Sequence, residues 1–258
     1  MQKFDVLIVG GGMVGLTLAL ALTKKKDLSV AVIDSSAPNE LSDEPELRVS
    51  AISAASQHIF SHLGVWPIIE QSRFAPYSHM HVWEKSGLGK IEFDHNDVNR
   101  QELGWIIENN VIRQALWQKA EQNSNIKLFT GHKVQQLAVG ESEVFASFEQ
   151  IPPITAKLVV GADGARSWVR QQCDFALTFW DYDHHALVAT VNCEQGHQNT
   201  AWQVFLPTGP LAFLPLASKH EGEDLCSIVY STAPDDAKRL LELDGEAFAK
   251  ELTAASDG

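Results

Sequence analysis

Three glycines and one acid carry the clearest chemical message in this chain. Gly10, Gly12 and Gly15 stand in the spacing G-x-G-x-x-G, directly after the apolar run Phe4 to Val9 and directly before the apolar stretch Met13 to Leu22. Between a strand and a helix, each glycine has its own task. The first permits a tight turn, the second lets backbone approach a pyrophosphate, and the third lets the helix pack closely on the strand. Helix N–H groups and the positive end of the helix dipole then meet the phosphates. Asp34 lies nineteen residues after Gly15, at the end of the run Leu28 to Ile33. A carboxylate there accepts hydrogen bonds from a ribose hydroxyl. The pattern predicts dinucleotide binding, and on spacing alone FAD and NAD fit it equally.

The elements that must hold these residues form a βαβ opening: a strand to Val9, a helix from Met13, and a strand ending at Asp34. The basic run Lys24 to Lys26 suits the negative pole of that helix. Residues Ser35 to Glu46, rich in Ser, Pro, Asn and acids, predict a loop. Val49 to Leu63 predicts a helix closed by Gly64. Ser78 to Asp94 alternates with period two around Ser-Gly-Leu-Gly, as a hairpin does. Asn109 or Asn110 caps a helix over Val111 to Glu121, and short strands follow near 126–129, 133–139 and 144–148. A buried strand, Lys157 to Val160, feeds Gly161-Ala162-Asp163-Gly164 and a short helix near Ser167 to Gln172. Beyond Cys173 the pattern is β-rich, with strands near 186–191, 202–206, 211–216 and 225–231, then helices over 234–243 and 246–255.

Composition narrows the function classes. With 258 residues, 45% hydrophobic and 21% charged, the chain is globular and large enough to bury a core without staples. Disorder, collagen and disulfide scaffolds are excluded. A net charge of −13 opposes a broad grip on nucleic acid or an anionic bilayer, while leaving room for local basic sites. Cys173, Cys193 and Cys226 are far apart with no C-x-x-C spacing, which suits a reducing cytosolic setting. No run approaches the ~20 apolar residues of a membrane-spanning helix, and the N-terminus lacks the h-region of a secretory signal. The expectation is a cytoplasmic protein, with peripheral contact to the inner membrane left open. His58 and His62 are four apart but lack an H-E-x-x-H pattern or a third ligand. His184 and His185, adjacent on a strand, face opposite ways. No metal is assigned, and no G-x-S-x-G elbow supports hydrolysis.

Longer motifs go further than spacing. Asp-Val-Leu-Ile-Val-Gly-Gly-Gly-Met-Val-Gly at 5–15, Arg-Val-Ser-Ala-Ile-Ser at 48–53 and Gly-Ala-Asp-Gly-Ala-Arg-Ser at 161–167 together resemble the flavoprotein aromatic hydroxylases of the p-hydroxybenzoate hydroxylase fold. Glu108-Asn109-Asn110-Val111-Ile112 and the stretch Phe179 to Ala189 resemble their ubiquinone-biosynthesis branch. The resemblance implies an α/β fold in which a Rossmann-like FAD-binding domain, residues 1–74 and 101–176, is interrupted by a β-sheet substrate domain, residues 75–100 and 177–258. It implies FAD as cofactor, NAD(P)H as reductant, dioxygen as co-substrate, and hydroxylation of the aromatic ring of a prenylated phenol. Such a substrate implies contact with membrane lipid or a lipid-presenting partner, other ubiquinone-biosynthesis proteins among them.

Residue roles follow from the same resemblance. Gly10, Gly12 and Gly15 would hold the FAD pyrophosphate and Asp34 the adenosine ribose, where many relatives have Glu. Arg48 sits where the family places an arginine beside the flavin, and its fork of donors suits phosphate or ribityl oxygens. Asp163, with Arg166 as companion, lies in the turn the family uses near FAD and the nicotinamide cofactor. Glu108 begins a helix that lines the flavin cleft in relatives. Simpler readings stand beside these: a surface arginine, a common Asp-Gly turn, a helix-end acid. No catalytic base is named, because the phenol itself supplies most of the activation. The family's third motif, a Gly-Asp followed by Ala-Ala-His and a proline- and glycine-rich turn, does not occur in these residues. The expectation is therefore an N-terminal portion of a longer hydroxylase, lacking the C-terminal part, with weak FAD retention and negligible activity by itself. Two other classes share the glycine turn or the fold: a nicotinamide-dependent dehydrogenase and a non-enzymatic subunit of a ubiquinone-biosynthesis assembly.

Overall fold

The computed structural model describes all residues except Lys26, Lys219, Glu221 and Gly258. Lys26, last of the basic run, therefore lies outside the described residues. In chain order the elements are β1 (Gln2–Val9), α1 (Met13–Lys25), β2 (Val30–Asp34), β3 (Val49–Ser53), α2 (Ala54–Leu63), α3 (Trp66–Ile69), β4 (Ala75–Tyr77), β5 (His79–Glu84) and β6 (Lys90–Asp94). After a 3-10 turn at His95–Val98 come β7 (Gly104–Glu108), α4 (Asn109–Glu121), β8 (Ile126–Thr130), β9 (Val134–Val139), β10 (Val144–Phe148), β11 (Ile154–Gly161) and α5 (Trp168–Gln172). The remainder is β12 (His185–Asn192), β13 (Thr200–Leu206), β14 (Gly209–Pro215), β15 (Leu225–Thr232), α6 (Pro234–Leu241) and α7 (Gly245–Ser256).

The chain divides into two compact units. The first comprises Met1–Leu41, Gln57–Ser72 and Asn109–Thr178. Its six-stranded sheet runs β8-β2-β1-β11-β10-β9, parallel from β8 through β11, with β10 and β9 added antiparallel. The second half of β1, Val6 to Val9, and Val30 to Ile33 of β2 read as unbroken apolar runs because both faces are covered. Leu7, Val9, Ala31 and Ile33 pack with Phe129, Ala146, Phe148 and Ile154 on one side. Ile8 faces α1 on the other, and α1 packs in turn on α4.

The second unit comprises Ser42–Ser56, Arg73–Glu108 and the residues from Phe179 onward. Its large sheet runs β12-β15-β14-β13-β5-β6, antiparallel except for the β13/β5 pair. A small antiparallel sheet, β3-β7-β4, completes it. One face of the large sheet packs Ala201, Leu216 and Leu225 with Tyr77 and Ile106 of the small sheet. The other packs Val204, Leu211 and Ile228 against Leu252 of α7.

One expectation needs revision. The helix read over Val49 to Leu63 is a strand followed by a helix: Val49–Ser53 pairs antiparallel with Gly104–Glu108, and only Ala54–Leu63 is helical. Val-Ser-Ala-Ile-Ser has β-branched residues in which the start of a helical stripe and a strand look alike, and pairing with β7 decided it. The Ser53 hydroxyl then accepts from the Ser56 N–H, starting the helix, and Gly64 ends it with φ +71°. By compactness, residues 42–56, 73–74 and 101–108 group with the second unit, where β3 and β7 build the small sheet, and residues 177–178 group with the first.

Candidate functional site

The glycine turn leaves β1 at Gly10, whose φ of +112° is a backbone state that L side chains avoid. A Cβ there would collide with the Ala162 carbonyl oxygen, because the turns after the parallel strands β1 and β11 abut, joined by a 2.7 Å hydrogen bond from the Ala162 N–H to the Val9 carbonyl. Gly15 is held from the opposite side, where a Cβ would strike the Gly10 carbonyl oxygen and approach Ile8. These two glycines serve packing. Gly12 is different: a Cβ there meets nothing within 4 Å. Its carbonyl accepts from the Leu16 N–H at 3.0 Å, so it begins α1, whose first turn carries no acid. A helix N-terminus with open space before it and no internal anion is a cradle for phosphate.

That space continues as a cavity of about 500 Å³ at the C-terminal ends of the parallel strands, where ligands of open α/β sheets bind. Gly10, Gly12 and Asp34 line one side, and Asp163 and Arg166 line it from the turn after β11. His132 and Lys133 add to the wall. Lys133 and Arg166 thus make a local cationic lining in a chain of net charge −13.

Asp34 holds the turn as well as facing the cavity. One carboxylate oxygen accepts from the Gly11 N–H at 2.6 Å and the other from the Ser36 N–H at 2.9 Å. Arg113 of α4 stands 3.4 Å from the latter oxygen. Its Nε donates to the Gly11 carbonyl at 2.9 Å, and its Nη2 to the Ser36 carbonyl at 2.6 Å. One guanidinium therefore ties the glycine turn to the loop after β2. Sequence reasoning missed Arg113; the available signal was a lone guanidinium among the core residues Val111, Ile112, Ala115 and Leu116.

Asp163 turns inward on its own loop. Its carboxylate accepts from the Ser167 hydroxyl at 2.5 Å and from the backbone N–H groups of Trp168 at 2.7 Å and Val169 at 3.1 Å. Burial pushes this carboxyl up, but the hydrogen bonds from Ser167, Val169 and Trp168 outweigh it, so its pKa lies below the usual value. Arg166 is exposed.

The two remaining sequence candidates belong to the second unit. Arg48 is exposed immediately ahead of β3. Glu108, at the end of β7, is buried at 3% exposure and bound bidentately by Arg73, at 2.8 Å through Nε and 3.0 Å through Nη2. The Glu46 N–H donates to the same carboxylate at 2.8 Å. Arg73 also donates to the Ser42 and Asp43 carbonyls at 2.7 and 2.8 Å. Both oxygens of Glu108 are thus engaged in clamping the 42–46 loop, and the carboxylate raises the Arg73 pKa further. Among the described residues, no group of three His, Cys, Asp or Glu side chains is placed to hold a metal, and no helix is long and apolar enough to cross a membrane.

Residues 3–255 match the family described as FAD binding domain. The chain belongs to that family. FAD is its cofactor, and the open helix N-terminus, the unfilled space at Gly12 and the cationic lining fit the dinucleotide's pyrophosphate and adenosine. This FAD binding domain is 35% identical over 262 residues to the 3-demethoxyubiquinol 3-hydroxylase of Escherichia coli strain K12, covering 97% of this chain and 63% of that protein. It is 34% identical over 265 residues to the mitochondrial ubiquinone biosynthesis monooxygenase COQ6 of Caenorhabditis elegans, covering 98% and 57%. The chain thus spans less than two thirds of the length of these relatives. The fold is that of the p-hydroxybenzoate hydroxylase-like FAD monooxygenases. PqsL of Pseudomonas aeruginosa, described as a probable FAD-dependent monooxygenase, superposes with a TM-score of 0.80 at 19% identity, over 97% of this chain and 66% of that one.

Proposed function

We propose that this chain is the FAD-binding part of a monooxygenase that uses NAD(P)H and dioxygen to hydroxylate the aromatic ring of a prenylated phenol in ubiquinone biosynthesis. The relatives named for ubiquinone biosynthesis support the reaction class. Within that branch the motifs lean toward the 2-octaprenylphenol hydroxylases. The observation that carries the cofactor half is the empty volume at Gly12, set between Asp34 and the Asp163 turn at the start of α1.

Bound FAD supplies the electron-transfer and oxygen chemistry. The residues of this chain hold and orient it. Backbone N–H groups at the start of α1 take the pyrophosphate, with Gly12 giving it room and Lys133 and Arg166 balancing its charge. Asp34 takes the adenosine ribose. Two backbone N–H groups and Arg113 leave its carboxylate, which has about four acceptor sites, a free lone pair. Asp163 acts as a positioning residue: its carboxylate caps the start of α5 and so fixes the turn that presents Arg166. Arg48 keeps the role beside the flavin that family resemblance gives it. Glu108 instead organises the 42–46 loop that leads to Arg48. The proposed place of action is the cytoplasm, at the surface of the membrane that carries the prenylated substrate.

The test is complementation. A strain lacking one ring hydroxylase of the pathway, given the gene for this protein, should lose the accumulated unhydroxylated prenylphenol and regain ubiquinone. Continued accumulation with soluble protein present overturns the substrate assignment.

A further inference from the structure

The second unit contains a larger cavity than the one beside the glycine turn. It measures about 780 Å³ and lies over the α7 face of the large sheet, with Trp83, Trp202 and Phe213 in its wall. Two of the three cysteines, Cys193 and Cys226, line it together. The register explains why. Cys226 on β15 pairs with Val191 on β12, and the ladder continues one step past β12, where the Cys193 N–H donates to the Asp224 carbonyl at 2.9 Å. Side chains two apart on a strand share a face, so Cys193 stands beside Val191 and diagonally across from Cys226.

The thiols are close enough for the Cys226 S–H to hydrogen-bond the Cys193 sulfur. Their accessibility differs. Cys226 is fully buried, whereas Cys193 is half-buried at the cavity wall. Diagonal neighbours lie about 7–8 Å apart, closer at Cβ, just beyond the Cα separation a disulfide bridges without backbone movement. Cys193 follows the last residue of β12, and its carbonyl accepts from the Gly196 N–H at 3.0 Å in the turn that follows. Its backbone is thus held on both sides, and closing the remaining distance must stretch one of these two bonds.

We propose that Cys193 and Cys226 form a peroxide-responsive pair, in which Cys193 is the attacking thiol and Cys226 resolves it to an intramolecular disulfide. The Cys193 thiolate attacks one oxygen of hydrogen peroxide, the O–O bond breaks, and hydroxide leaves with the electron pair, giving a sulfenic acid on Cys193. The Cys226 sulfur then displaces that oxygen as water while its proton is lost. Together two thiols and one peroxide give one disulfide and two waters. The hydrogen bond from Cys226 lowers the pKa of Cys193, against the opposing effects of burial and Asp224. That same bond, with burial, raises the pKa of Cys226. Once Cys193 is oxidised, the thiolate that held the Cys226 proton is gone, and Cys226 becomes competent to attack. The bridge would join the end of β12 to β15 and stiffen the floor of the cavity.

Hydrogen peroxide added to the reduced protein tests this, followed by unfolding, alkylation and peptide mapping. The expected result is a fall from three alkylatable thiols to one, Cys173, with a linked peptide containing Cys193 and Cys226 and a mass lower by two hydrogens. In Cys193→Ser, at the cavity wall, Cys226 should keep its thiol at the same dose. Oxygen adducts on Cys193 with Cys226 still alkylatable in the native protein, or equal oxidation of Cys226 in Cys193→Ser, would overturn the proposal.

Discussion

The role assigned to Gly12 separates cleanly from the roles of its two partner glycines. Gly12→Ala adds a methyl group where the structure has nothing within 4 Å, and its φ is not in the left-handed region. The fold should therefore tolerate it, losing about 0.5–1 kcal/mol because alanine starts a helix less well than glycine. The added methyl instead occupies the place proposed for the pyrophosphate. Hydrogen bonds to a charged group contribute about 1.5–3 kcal/mol each, so pushing the phosphates off one helix N–H should weaken binding roughly tenfold to a hundredfold. Gly15→Ala makes the opposite prediction. Its Cβ strikes the Gly10 carbonyl and crowds Ile8, an overpacking strain of about 1–3 kcal/mol, only partly offset by the roughly 1 kcal/mol that alanine gains over glycine within a helix. Adenosine diphosphate is the probe, since it is the part of FAD that the first unit would hold. Calorimetric titration gives Kd, and urea unfolding gives stability. Unchanged affinity in Gly12→Ala, or a stability loss in that variant well above about 1 kcal/mol, refutes the cradle assignment.

Arg113→Met should loosen the tie between the glycine turn and the 34–37 loop and weaken adenosine diphosphate binding about tenfold, the equivalent of one charged hydrogen bond; Arg113→Lys should recover little, because an ammonium lacks the planar fork, and full recovery by lysine in the same titration counts against the bridging role. Arg73→Met leaves the Glu108 side chain at 4% exposure without its cation, so urea unfolding should show a loss of about 3–5 kcal/mol, while Arg73→Met with Glu108→Met should recover most of it; proteolysis within 42–46 should accelerate in the single variant. For Asp163 the folded pKa is depressed, so its contribution is fully present above the unfolded value of about 4 and disappears as pH falls through the folded one. The stability gap between wild type and Asp163→Asn should therefore be widest near neutrality and close on acidification; a gap constant from pH 7 to pH 2.5 refutes the capping account.

Much of the architecture was legible because its local signals agree with its tertiary ones. The run Phe4 to Val9, the glycine turn and the apolar Met13 to Leu22 satisfy both strand-helix periodicity and burial on both sheet faces, and β1 and α1 appear there. The hairpin expected over Ser78 to Asp94 appears as β5 and β6, since period-two alternation and a Gly-containing turn leave few other folds for seventeen residues. Val49 to Ser53 misled because five residues carry too little periodicity to separate a strand from the first turn of the helix they precede. Its partner, β7, lies more than fifty residues later in sequence, and that pairing is invisible locally.

The candidate carboxylates make a different point. Spacing located Asp34, Glu108 and Asp163, yet what a carboxylate does depends on which of its lone pairs the fold leaves unfilled. Asp34 spends two on backbone N–H groups and retains capacity toward a cavity. Glu108 is met by two guanidinium nitrogens and a backbone N–H inside a buried clamp. Asp163 receives one hydroxyl and two helix-start N–H groups. Those donors come from positions 2 to 62 residues away, and those of Glu108, 35 and 62 residues off, lie beyond the reach of any local motif. Of the three, Asp34 alone combines spare acceptor capacity with a position beside the open helix N-terminus. A ligand hydroxyl therefore has more to gain from Asp34 than from either of the other two carboxylates, and that difference follows from hydrogen-bond occupancy.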